Sequence, residues 1–179
     1  MICNQLKECL NAQITQQNPS NCSQIQAECI ESSDCRSYVK CEERNKKYIL
    51  ENTGKNNVIV YRMDGGIIKI DKSVPEGTCK CDYLLAVNGK EYNAILTELK
   101  GVDVAHALKQ IDGTLTQFKS VFEEFTHVYA RVVVTSSTPN LKTTPTYTNL
   151  VRRLKQRYKG NLKISERQMT EKDTDLEKS

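Results

Sequence analysis

No stretch of this 179-residue chain approaches the roughly 20 consecutive apolar residues of a membrane-spanning helix, which excludes such a span. The opening Met1-Ile2-Cys3-Asn4-Gln5 has no basic segment followed by an apolar one. No secretory signal is therefore expected, and the expected compartment is the cytoplasm. No internal repeat is present, so a solenoid or propeller array is excluded. Nor is one sign of charge in large excess: 26 Lys and Arg against 22 Asp and Glu leave +4. That balance permits an acidic partner and requires none. With 38% hydrophobic and 27% charged residues, the chain reads as one soluble domain of ordinary size. Composition alone carries no function.

Cysteine is what the chain has in excess. Six of its eight cysteines fall in the first 41 residues, at Cys3, Cys9, Cys22, Cys29, Cys35 and Cys41, and the others are Cys79 and Cys81. A structural zinc site wants cysteine pairs with two to four residues between them. The gaps here are five, twelve, six, five and five, so no zinc pattern is present. They match no common iron–sulfur run either. Structural thiols, disulfides between short helices and some other metal arrangement stay open. Cys79 and Cys81 straddle Lys80 on one face of a strand and read as packing residues.

Short helices are expected over residues 2–10 and 22–30, separated by Asn18-Pro19-Ser20-Asn21. They make residues 1–36 a cysteine-rich helical appendage. The spacing of Tyr38, Cys41 and Tyr48 predicts a helix over 37–51, stopped at Asn52-Thr53-Gly54. Strands are expected at 57–62 and 67–70 about the turn Asp64-Gly65-Gly66, and at 79–87 and 91–99 about Asn88-Gly89. Val104, Leu108, Ile111, Leu115, Phe118 and Phe122 then recur at steps of four and three, predicting one helix over 102–122. A buried strand over 127–135 follows, then a basic helix over 146–159 ended by Gly160, and a short strand at 162–165. Residues 167–179 carry charge without period and are expected to be a disordered tail. The fold class is α/β, a mixed central sheet flanked by helices over residues 37–166.

Asp82 lies on the first strand of the Asn88-Gly89 hairpin; Glu98 and Lys100, two residues apart, share one face of the second. A two-residue turn would set Glu98 opposite residue 79, leaving a bulge or splayed end to bring Asp82 near it. Glu-x-Lys alone is compatible with a solvated strand face. However, the apolar run Ala94-Ile95-Leu96 before it is that of a strand buried on both faces, whose charged end needs a reason. Two carboxylates form a hard site for Mg²⁺ or Mn²⁺, and a neighbouring ammonium can orient or deprotonate a water.

Asp82 followed by Ala94-Ile95-Leu96-Thr97-Glu98-Leu99-Lys100 resembles the PD-(D/E)XK nuclease superfamily. In that family a helix precedes a sheet with an Asp on one strand and Glu-x-Lys on the next, then a helix and another strand. Fifteen residues separate Asp82 from Glu98, within the family's range. The resemblance implies a restriction-endonuclease-like fold and metal-dependent phosphodiester hydrolysis, in DNA before RNA, in a setting of restriction, phage defence or repair. It implies metal held by Asp82, Glu98, the Leu99 carbonyl and an upstream glutamate, for which Glu43 is chosen over Glu42 and Glu51. It also implies a water-activating Lys100 and a supporting Gln110 on the following helix, where Asp103, His106, Gln110 and Gln117 form a polar stripe. His106 and the cations Arg152, Arg153, Lys155, Arg157 and Lys159 are candidate nucleic-acid contacts. A homodimer is plausible by analogy, and the N-terminal region can serve a protein partner. Cys81 stands where many members have proline, and no separate target-recognition domain is visible. The rival readings are an inactive nuclease-fold module that binds nucleic acid or protein, and a cysteine-rich secreted domain.

Overall fold

The computed structural model describes residues 6–15, 29–68, 75 and 77–178. In chain order these form α1 (Leu6–Ile14), β1 (Ile30–Asp34), β2 (Tyr38–Glu43), β3 (Lys46–Glu51), β4 (Asn57–Arg62), β5 (Tyr83–Asn88) and β6 (Tyr92–Leu99). There follow α2 (Val104–Gln117), α3 (Lys119–Phe122), β7 (His127–Val134), α4 (Pro145–Tyr158), β8 (Leu162–Glu166) and β9 (Gln168–Lys172). Among the described residues no helix is long and apolar enough to cross a membrane.

The main sheet has six strands in the order β1-β4-β5-β6-β7-β8. It is mixed: β1, β4, β5 and β6 pair antiparallel, while β6, β7 and β8 run parallel. The parallel joins need crossovers, which α2 and α4 supply. Val58 to Tyr61, Leu84 to Val87, Ala94 to Thr97 and Val128 to Val134 are buried without alternation, because both faces of these strands are covered. One face carries α2, α4 and Leu6, Cys9 and Leu10 of α1. The other carries a second sheet of three strands, β2-β3-β9.

That second sheet overturns two sequence expectations. Residues 37–51 are a hairpin, not a helix. Val39 and Cys41 on β2 and Tyr48 and Leu50 on β3 are buried in alternation with exposed or half-buried neighbours, the period of a strand. The turn is Arg44-Asn45, both in the left-handed region at φ 45° and 65°. Without a glycine there, the hairpin signal was weak. Residues 167–178 of the expected disordered tail are likewise ordered, and residue 179 lies outside the described residues. β9 adds in parallel to β3, and Met169 and Leu176 enter the core. Polarity misled here because the anchoring groups are themselves charged. Arg131, fully buried on β7, donates to Glu171, to Asn161 Oδ1 at 2.8 Å and to the Leu176 carbonyl at 3.0 Å. Tyr48 also donates to Glu171, at 2.9 Å.

The N-terminal appendage is not separate where it is described. α1 packs into the main core and β1 is an edge strand of the main sheet, so a boundary at residue 36 would cut that sheet. The expected helix over 22–30 lies outside the described residues except for its end, where Ile30 opens β1. Residues 67–70 were expected as a strand. Ile67 and Ile68 are buried in a turn held by one isolated bridge, Asp64 with Ile68, and residues 69 and 70 lie outside the description. Cys35, Cys41, Cys79 and Cys81 carry free thiols, and among the described residues no cysteine belongs to a metal-ligating cluster.

Helix ends follow local chemistry. Asp103 caps α2 by accepting the His106 N–H at 2.9 Å. The expected helix over 102–122 breaks at Phe118, separating α2 from α3. Thr144 caps α4 ahead of Pro145, and Lys159 closes it in the left-handed region at φ 49°. Gly160 serves a close approach instead: a β-carbon there would lie 1.8 Å from the Val128 carbonyl oxygen. Gly160→Ala is expected to cost about 2 kcal/mol, seen in thermal unfolding as a Tm lower by about 4–8 °C.

Candidate active site

Asn88 pairs with Tyr92, so the β5–β6 loop holds Gly89, Lys90 and Glu91 and is one residue longer than a two-residue turn across Asn88-Gly89 would require. The resulting register pairs Tyr83 with Thr97, which sets Asp82 opposite Glu98 where residue 79 was expected. No bulge is needed. Ala94 and Leu96 face the helical layer, as do Leu84 and Ala86, and strand alternation puts Glu98 on that side, while Asp82 sits in the bend just before β5 and Lys100 just past β6. The two acids interlock through the backbone. The Asp82 N–H donates to Glu98 Oε2 at 3.2 Å, and the Leu99 N–H donates to Asp82 Oδ2 at 2.7 Å. A strand residue's N–H and C=O point to the same edge, so the Leu99 carbonyl is turned toward Asp82 as well. Lys100 Nζ lies 3.9 Å from Glu98 Oε1.

Electrostatically the pair is incomplete. The Glu98 side chain is 1% exposed. Burial, and then the facing Asp82 charge, raise its carboxyl to about 9, with Lys100 opposing. Burial also raises Asp82, to about 6; the Leu99 N–H opposes, and Glu43 and Asp64 push further upward. Glu43 therefore acts on both acids, but from a strand end in the second sheet and not from the expected helix. Asp82 Oδ1 and Glu98 Oε1 accept no hydrogen bond among the described residues. These two oxygens and the Leu99 carbonyl are the atoms with which this rim could hold a cation, and hard oxygen donors beside raised carboxyls fit one.

The raised carboxyls fix a sign for pH dependence. Between their ordinary values, 3.8 and 4.5, and about 6 and 9, the folded state binds more protons than the unfolded one. Stability therefore declines as pH rises through this window. In chelator, Tm of the wild type is expected to fall between pH 5 and pH 9 by at least about 4 °C more than that of Glu98→Gln. Parallel profiles for the two proteins would contradict this.

Gln110 reaches the same rim from α2, donating to the Lys80 carbonyl at 3.0 Å, while its Oε1 is buried without a partner among the described residues. Thr114 accepts the Cys81 N–H at 2.9 Å, so two side chains of α2 hold the segment that leads into Asp82. Gly113 lets that segment come close, since a β-carbon there would meet Cys79 Cβ at 2.2 Å. His106 is exposed on the first turn of α2, at the rim end of the sheet. Sequence reasoning missed Asp64 and Lys80, which pair at 2.8 Å beside Asp82. Asp64 was read only as a turn residue; Lys80, two residues before Asp82, was the available signal.

The C-terminal end of the basic helix lies away from this rim. Lys159 lies at the start of β7, its carbonyl 2.9 Å from His127 Nδ1, whereas the Lys100 N–H bonds to the Val133 carbonyl near that strand's end. Six residues of strand put about 20 Å between those ends. A crossover helix runs antiparallel to its strands, so the C-terminal end of α4 must sit at the far edge. Arg153 is engaged by Asp112 at 2.7 Å and Arg157 by Glu123 at 2.7 Å, and Arg152 donates to Asn149. Lys155 and Lys159 are exposed. No protein-family model, curated protein or solved structure matches the chain.

Proposed function

We propose that the protein is a metal-dependent nuclease hydrolysing phosphodiester bonds, with DNA the first substrate to test, and that its fold is restriction-endonuclease-like. The observation that carries this reading is the meeting of Asp82 and Glu98 at a sheet rim, joined by the Asp82 N–H to Glu98 and the Leu99 N–H to Asp82, with Lys100 Nζ 3.9 Å from Glu98. Asp82, Glu98 and the Leu99 carbonyl would hold Mg²⁺ or Mn²⁺, and Glu43 would add negative charge from the opposite layer. When bound, such an ion polarises a phosphoryl oxygen and acidifies a coordinated water. Lys100 orients the attacking water and offsets charge developing on phosphorus. The Leu99 N–H holds Asp82 in its rotamer, and the Asp82 N–H does the same for Glu98. Gln110 positions the Lys80–Asp82 segment through the Lys80 carbonyl. The strand order Asp82, Glu98-x-Lys100, helix, strand supports the resemblance, while the missing helix over 37–51 departs from it.

The test is incubation of the full chain with plasmid, single-stranded DNA and RNA, in Mg²⁺, Mn²⁺ or chelator. Cleavage that needs the metal and disappears in Glu98→Gln supports the assignment. Absence of cleavage on every substrate, with binding retained, would leave the inactive nuclease-fold module in its place.

A further inference from the structure

We propose that Glu91, His127 and Glu177 form a separate site for a borderline divalent transition ion, Zn²⁺ in the first instance, which clasps the C-terminal segment to the main sheet. The three residues come from the β5–β6 loop, the start of β7 and the chain's end, and their ligand atoms lie within 4.8 Å of one another. His127 Nδ1 is 2.9 Å from the Lys159 carbonyl oxygen, which can only accept, so Nδ1 carries the proton and a neutral ring turns the Nε2 lone pair the other way. A bond of this kind, from outside the cluster, is what sets the tautomer and orientation of metal-bound imidazoles.

Nε2 then faces Glu91 Oε2 at 3.3 Å and Glu177 Oε1 at 3.4 Å. A charge-assisted N–H···O bond closes to about 2.7–2.9 Å. Two metal–ligand bonds of about 2.0–2.1 Å at a tetrahedral angle instead leave their donor atoms about 3.3–3.4 Å apart. The two separations at Nε2 match that spacing, and the Glu91 and Glu177 oxygens lie within 4.8 Å of each other. One imidazole nitrogen with two carboxylate oxygens favours zinc and its neighbours over the hard-cation preference of an all-oxygen site. The His127 side chain is 12% exposed, and a cavity of about 470 Å³ beside Glu91 and Glu177 gives an ion a way in. Asp173 lines the same cavity, but Thr53, Gly54 and Asn56 already occupy its carboxylate.

This site is independent of the nuclease reading. Asn93 pairs with His127 and Glu98 with Val132, so the two centres lie at opposite ends of the same strands. The experiment titrates Zn²⁺ by calorimetry, and Co²⁺ by visible absorption, into full-length protein under reducing conditions. The starting protein is Glu98→Gln, which disables the rim site; His127→Gln and Glu177→Gln are added singly. Glu177 is 66% exposed, so its variant keeps the fold. The expected result is one equivalent bound with a raised Tm, a cobalt spectrum without a thiolate charge-transfer band, and affinity at least about tenfold weaker in each added variant. Unchanged affinity in either variant, a thiolate band, or no binding at millimolar metal would overturn the proposal.

Discussion

Lys100→Ala is expected to lower metal-dependent cleavage by about 10²–10⁴-fold, the usual weight of a positioned proton-transfer or charge-offsetting group. If the proposed nuclease assignment holds, the loss should appear mainly in the rate of the chemical step, because Lys100 would then meet the scissile group and makes little of the fold. Its side chain is 30% exposed and its nearest acidic partner, Glu98 Oε1, is 3.9 Å away, so Tm should move by only a few degrees. Removing the ammonium also removes an influence that lowers both carboxyls, which makes the rim harder to ionise without metal. The variant should therefore need more Mg²⁺ as well as turn over more slowly. Asp82→Asn separates the two effects. The amide oxygen can still accept the Leu99 N–H, while the negative charge is gone, so metal dependence should collapse with the fold intact. Single-turnover cleavage across a Mg²⁺ series reads both quantities. A Lys100→Ala protein that cuts at the wild-type rate would remove the lysine from the mechanism.

Glu171→Ala is expected to be the most damaging single change to stability, costing about 3–5 kcal/mol. Glu171 receives the Arg131 guanidinium, the Tyr48 hydroxyl and, at 3.0 Å, the Lys163 ammonium. Arg131 is fully buried, so deleting its partner strands a positive charge with only neutral acceptors. At about 2–4 °C per kcal/mol for a chain of this size, Tm should fall by about 6–20 °C. Glu171→Gln keeps the acceptor without its charge and should lie between the two. Denaturant unfolding of the three proteins gives the order, and an alanine variant within 1 kcal/mol of wild type would contradict the account. The same interaction shows why the C-terminal residues belong to the fold: β9 is held from inside the core by a residue of β7.

Much of the architecture was legible because its signals are local. The four-and-three recurrence in α2, the β-branched run of β7, Thr144-Pro145 before α4 and the apolar strand ahead of Glu98 each declare themselves within a dozen residues. Errors arose where the deciding partner is far away in the chain. Residues 38–51 have strand alternation, but Tyr38, Cys41 and Tyr48 also satisfy a helical spacing. Only burial against the main sheet separates the two periods. The Asn88-Gly89 signal found the hairpin but not its register, which the longer Gly89-Lys90-Glu91 loop sets. Asp82, Glu98 and Lys100 could be named, but their facing positions could not. Arg152–Lys159 was readable as basic, while its distance from the rim was not.

The chain's own pattern was enough to specify the α/β class, the element order from β5 to β8, a strand ending in Glu-x-Lys and an acid ahead of the strand before it. Those follow from side-chain period and polarity, which act between near neighbours. Tertiary structure decided that the two acids face each other with too little water to stay charged comfortably. It also decided that a polar C-terminus becomes a core strand, and that Lys159 at the end of α4 lies at the other end of the sheet. Each of these depends on desolvation and on the direction of a crossover, quantities that exist only once distant segments have met.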